Sequence, residues 1–101
     1  MTLTSCYPVL MSDDVAAATR WYTEHLGFEI TFEAEWYVSL RRDTWELALL
    51  DPHHPTIPEA YRGSAARGVL INLEVEDVDG VHAELTAHPD IEVVRPLQSE
   101  T

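Results

Sequence analysis

Residues 7–28 read YPVLMSDDVAAATRWYTEHLGF, and this stretch decides the fold. It opens on β-branched and apolar residues that predict a strand over 5–11. Val15, Ala18, Thr19, Tyr22 and Leu26 then recur at helical spacing, which predicts a helix over about 14–26. Ser12 or Asp13 is the expected N-cap, and Gly27 stands just past the last periodic residue as a stop.

Working outward, the same pattern returns. Laying Asp14-Val15 over Asp77-Val78 sets an offset of 63, which brings Leu10 onto Leu73, Ala18 onto Val81, Tyr22 onto Leu85, His25 onto His88 and Glu29 onto Glu92. Each copy reads strand, helix, strand. The second helix is predicted over about 78–87, begun at Glu76-Asp77 and ended by Pro89. Further strands are expected over 28–34, 36–41, 45–50, 69–75 and 91–96, with Arg42-Asp43-Thr44 as a tight turn. Residues 51–68 carry three prolines and two glycines and read as a solvated connector that can also cover a pocket.

The expected fold is thus α+β. A complete βαβββ module (1–50) and the connector (51–68) precede a second module that stops at βαβ (69–101), all within a single domain. The counterparts of the third and fourth strands fall almost wholly beyond residue 101. An uncovered sheet edge follows from that, and with it the expectation of a homodimer, or of a trimmed tail.

Composition narrows the function. Six arginines against eighteen acidic residues give a formal net charge of −12, which disfavours nucleic acid and could favour a cationic small molecule. There is no lysine, so Schiff-base chemistry and a GxxxxGK phosphate loop are excluded. Cys6 is the only cysteine and is expected to be buried and structural; no intramolecular disulfide can form. No stretch has the length of a membrane helix, the N-terminus lacks the marks of a secretory signal, and a cytoplasmic location is expected.

The strand, helix and Leu26-Gly27-Phe28 turn of residues 7–28, with Glu46-Leu47-Ala48-Leu49-Leu50 and the Gly68–Gly80 stretch, resemble the vicinal oxygen chelate superfamily. That group includes glyoxalase I, extradiol dioxygenases and bleomycin-resistance proteins. The resemblance implies a curved mixed sheet built from tandem βαβββ modules. In members that use a metal, it implies ligands at the positions of Tyr7, Glu46 and Leu70, with a last carboxylate near 109. Only Glu46 is an ordinary ligand type, and no cofactor is expected. Adjacency and flanking prolines disfavour joint chelation by His53 and His54.

Strand alternation sends Pro8, Leu10, Val38, Leu40, Leu47 and Leu49 toward the helix. Tyr7, Val9, Tyr37, Ser39, Glu46 and Ala48 then line the opposite, concave face, joined in the second copy by Leu70, Asn72 and Glu74. Trp36 and Tyr61 are candidate aromatic partners for a ligand, Trp36 being equally readable as core; Trp45 is expected in the core. The expected function is metal-independent binding of a small molecule, a cationic drug or metabolite, as in the bleomycin-resistance branch. The alternative is a lyase, dioxygenase or isomerase that uses a divergent metal site or Glu46 as general base.

Overall fold

The computed structural model describes residues 1–64 and 66–94. By its internal contacts the chain divides into two compact units, Met1–Val69 and Leu70–Thr101, each described by itself.

The first unit runs β1 (Val9–Met11), α1 (Val15–Leu26), β2 (Glu29–Glu33), β3 (Tyr37–Arg42), β4 (Trp45–Leu50) and a 3-10 turn at Glu59–Tyr61. Its four strands form one mixed sheet in the order β1-β4-β3-β2, with β1 parallel to β4 and the other neighbours antiparallel. Asp14 caps α1 by accepting from the Ala17 N–H at 2.9 Å, one residue later than the sequence reading had it. Ser12 Oγ in turn accepts from the Asp14 N–H. Gly27, at φ 70°, ends the helix in the left-handed conformation that glycine adopts without strain.

Alternation explains the core. Leu10 of β1, Val38 and Leu40 of β3, and Leu47 and Leu49 of β4 pack with Val15, Ala18, Tyr22 and Leu26 of α1 and with Phe28. Buried Thr19 satisfies its hydroxyl by donating to the Val15 carbonyl at 2.7 Å. The fully buried leucines each contribute roughly 1.5–3 kcal/mol.

Four expectations are corrected. β1 begins at Val9 rather than residue 5, because Pro8 has no N–H to donate to a ladder; Cys6 is consequently exposed and outside the strand. Trp45 is 69% exposed rather than core. It stands at the hairpin end opposite Arg42, whose guanidinium occupies the C-terminus of α1 by donating to the Leu26 carbonyl at 2.6 Å. The connector is folded rather than loosely solvated. Pro52 and Ile57 are buried, the Gly63 N–H closes back onto the Pro52 carbonyl at 2.8 Å, and Arg62 donates to the carbonyls of Ile57 and Pro55.

The fourth correction concerns the second unit. It carries α2 (Val78–Thr86), capped by Asp77 accepting from the Gly80 N–H at 2.9 Å. Residues 69–75 and 91–94 form no strand, and 95–96 lie outside the described residues. A strand needs a ladder partner, and among the described residues none lies beside 69–75 or 91–94.

Candidate functional site

The face of the sheet away from α1 is built in rows that the ladder register fixes. Glu46 of β4 lies opposite Arg41 of β3, which lies opposite Glu29 of β2. In the next row Val9, Ala48, Ser39 and Phe32 succeed one another across all four strands, and beyond it stand Met11, Leu50 and Tyr37. Phe32 keeps its place in the second row because a bulge between Ile30 and Phe32 absorbs Thr31. The face therefore passes from a charged row, through one that is small at Ala48 and Ser39 and aromatic at Phe32, to an apolar row that ends on Tyr37.

Six of the expected residues thus belong to one surface. Val9, Ser39, Glu46, Ala48 and Tyr37 are held by the ladder, and Tyr7, just ahead of β1, joins them through a 3.4 Å contact between its hydroxyl and that of Tyr37. Glu46 is half-buried and accepts a hydrogen bond from the Ser5 hydroxyl. The Tyr37 hydroxyl, and less strongly the Glu46 carboxylate, raise the Tyr7 phenol above the ordinary tyrosine value, since both disfavour a phenolate. Tyr7 is accordingly a neutral hydrogen-bonding group at physiological pH.

Trp36 also belongs here. Its indole packs on Tyr37 with ring centroids 5.6 Å apart, and Tyr37 packs on Phe32 at 6.1 Å. The other neighbour of Trp36 is one the sequence reading passed over as connector or cavity rim: the His54 imidazole lies flat on the indole at 3.6 Å and 9°. The Thr56 N–H donates to His54 Nδ1, which orients the ring. No spacing in the sequence announces that stack, because it depends on how the loop returns to the sheet. Tyr61 is not brought to this cluster: it is 70% exposed on the 3-10 turn, and makes no ring contact among the described residues. Leu70, Asn72 and Glu74 lie in the second unit, all three exposed.

The donors at the positions that the resemblance assigns to a metal can be tested by their chemistry. Tyr7 is held protonated, Glu46 already accepts from Ser5, and Leu70 has no donor atom. A divalent ion needs several carboxylates or imidazoles at once, and this set does not fit it. The surface instead offers aromatic faces, phenol hydroxyls and a carboxylate, Glu46, opposite Arg41 in the ladder register, the chemistry of non-covalent recognition.

Similarity to other proteins agrees with this architecture. A virulence protein of Salmonella typhimurium superposes with TM-score 0.74 at 20% identity, over 100% of this chain and 80% of that one. Lactoylglutathione lyase from Agrobacterium tumefaciens superposes with TM-score 0.62 at 20% identity, over 86% and 72%. These two likenesses are of fold. The bleomycin-binding protein of bleomycin-producing Streptomyces verticillus, solved with copper(II)-bleomycin, matches with TM-score 0.53 at 25% identity, over 83% of this chain and 62% of that one. A search of curated proteins gave no match. The family model of the glyoxalase/bleomycin resistance protein/dioxygenase superfamily matches residues 6–101, nearly the whole sequence, and the chain belongs to that superfamily.

Proposed function

We propose that this chain is a cytoplasmic, homodimeric small-molecule-binding protein of the bleomycin-resistance type, which takes a cationic ligand with an aromatic part and needs no metal to do so. The observation that carries the reading is the make-up of this sheet face: the aromatic side chains of Tyr7, Phe32, Trp36 and Tyr37 around the small residues Ser39 and Ala48, with the Glu46 carboxylate near enough to act on the Tyr7 phenol. An exposed aromatic face attracts a cation with roughly 0.5–1 kcal/mol, and more once water is excluded. Glu46 supplies the carboxylate, and the net charge of −12 raises the local concentration of cations. The bleomycin-binding protein among the related structures supports a ligand of this kind.

The test uses metal-free bleomycin and a planar dye cation such as acridine orange, each titrated into chelator-treated protein and followed by tryptophan fluorescence. At least one of them is expected to bind the native protein. Glu46→Gln is expected to weaken binding about tenfold, the worth of a charge-assisted hydrogen bond. Tyr37→Ala is expected to weaken it similarly, with the circular dichroism of both variants unchanged. Failure of both probes, or equal binding by native protein and both variants, would remove this face from consideration.

A further inference from the structure

The outer strand β2 contributes Glu29 and Phe32 to the ligand face, and its outer edge is used by none of the above. It ends the sheet, pairing only with β3 among the described residues, so one row of its backbone N–H and C=O groups has no ladder partner. All five of its residues are exposed. Two are large and apolar: Ile30, 43% exposed, shares a register position with core Leu40 and so faces the helix side, whereas Phe32, 54% exposed, faces the other. Beside Ile30, between β2 and α1, runs an open groove of about 560 Å3 whose apolar lining comes from Val15, Ala16, Ile30, Ala34 and Val38.

Charge decides what fits that edge. β2 begins and ends in glutamate, Glu29 and Glu33, with Glu35 following in the turn. A second copy paired antiparallel about Thr31 would set each Glu29 against a Glu33, and an in-register parallel pair would set each glutamate against itself. Like charges directly opposite destabilise a strand pair. Glu29 already has Arg41 across the ladder, but Glu33 faces Val38 and has no cation there. Besides its apolar residues the groove is lined by Arg20 on the α1 side and by Glu33 and Glu35, two carboxylates to one guanidinium, so it accommodates an apolar side chain over Ile30 and a basic one beside the glutamates.

We propose that the free edge of β2 docks an extended, basic peptide segment of another protein. The segment adds as a fifth strand, sets lysine or arginine against Glu33 and Glu35, and places an apolar side chain over Ile30 in the groove. Backbone pairing supplies most of the affinity and the glutamates select the charge. This inference stands apart from the ligand face, since Glu33 lies opposite core Val38 and Glu35 follows β2, so both can be changed without touching Tyr7, Tyr37 or Glu46.

The experiment measures fluorescence anisotropy of a short labelled peptide that alternates lysine with valine or threonine. Two controls accompany it: an acidic twin with glutamate in place of lysine, and a basic twin with a central proline. The basic peptide is expected to bind, at least about tenfold more tightly than either control. Glu33→Lys/Glu35→Lys protein, its fold checked by thermal melting, is expected to reverse the preference toward the acidic peptide. Absence of binding, indifference to the proline, or binding unaltered by the charge reversal would overturn the proposal. So would sedimentation showing a native dimer that the charge reversal tightens, because a second copy, its Glu29 then facing a lysine at 33, would hold the edge.

Discussion

Leu40→Ala and Ser39→Ala, neighbours on β3, should differ in cost by several kcal/mol, because the strand sends them to opposite faces. Leu40 is 0% exposed and packs in the cluster formed by α1, β3 and β4, whereas Ser39 lies half-buried on the other face between Ala48 and Phe32. Truncating Leu40 to alanine removes three carbons of buried side chain, worth about 2.4 kcal/mol in transfer at roughly 0.8 kcal/mol each. The cavity left behind adds about 1 kcal/mol where α1 cannot close onto it, for a total near 3–4 kcal/mol. A domain of this size has about 5–10 kcal/mol in all, so the variant stays folded at 25 °C but loses between roughly a third and four-fifths of its stability. With a urea m-value of about 1–1.5 kcal/mol/M, the unfolding midpoint should drop by roughly 2–4 M. Ser39→Ala should move it by less than about 0.5 M. Equal shifts for the two variants, or a Leu40→Ala cost below about 1 kcal/mol, would refute the assignment of faces on which the ligand surface depends.

Gly27→Ala should cost about 1–2 kcal/mol in the same assay, and the origin is conformational: φ is 70°, while the added methyl would meet only the Arg42 guanidinium, at an ordinary 3.7 Å. Asp14→Ala removes the cap on the Ala17 N–H and should cost about 1 kcal/mol, with Asp14→Ser recovering most of it. Tyr7 should titrate above the ordinary tyrosine value near 10, read by ultraviolet difference absorbance, and Tyr37→Phe should bring it back by removing the largest cause of the shift. The sign follows from the neutral phenol being favoured in the folded protein: the stabilisation is whole below the unfolded pKa, and is lost as pH climbs through the raised one. A Tyr7 titration unchanged by Tyr37→Phe would place the hydroxyl contact in error.

Much of the first unit was legible because local signals and tertiary packing agree there. Val15, Ala18, Tyr22 and Leu26 mark a helix by spacing alone, and the alternation Val38, Leu40 against Leu47, Leu49 identifies the core face without any structure. Gly27 was readable as a stop for the same reason. Features that depend on where the chain ends up in space were not readable. Trp45 follows the alternation of a core residue yet stands at a hairpin end, where Arg42 takes the helix terminus and leaves the indole in solvent. The prolines of 51–58 suggested a loose connector, but Pro52 and Ile57 are buried and the loop is closed by hydrogen bonds between residues distant in sequence. His54 reaches Trp36 only as a result. In the second unit the sequence has strand character over 69–75, but strand character without a ladder partner gives no strand.

The candidate face was half legible. Alternation supplied Val9, Ser39, Glu46 and Ala48, and the register confirms that they are neighbours. It could not supply Phe32, because the bulge at Thr31 resets the alternation of β2, nor the Ser5 hydroxyl on Glu46, which comes from outside any regular element. Arg41 shares the strand parity of Tyr37 and Ser39, but its position between Glu46 and Glu29 emerges only from the pairing of β2 with β3 and β3 with β4.

The central claim is that this face recognises its ligand without a metal, and calorimetry of Ni2+, Mn2+ and Zn2+ with chelator-treated protein tests it most directly. The account predicts affinities weaker than about micromolar, a binding free energy smaller than roughly 8 kcal/mol, and no change on Glu46→Gln. Stoichiometric binding tighter than that, abolished by Glu46→Gln, would contradict it and make Glu46 a metal ligand.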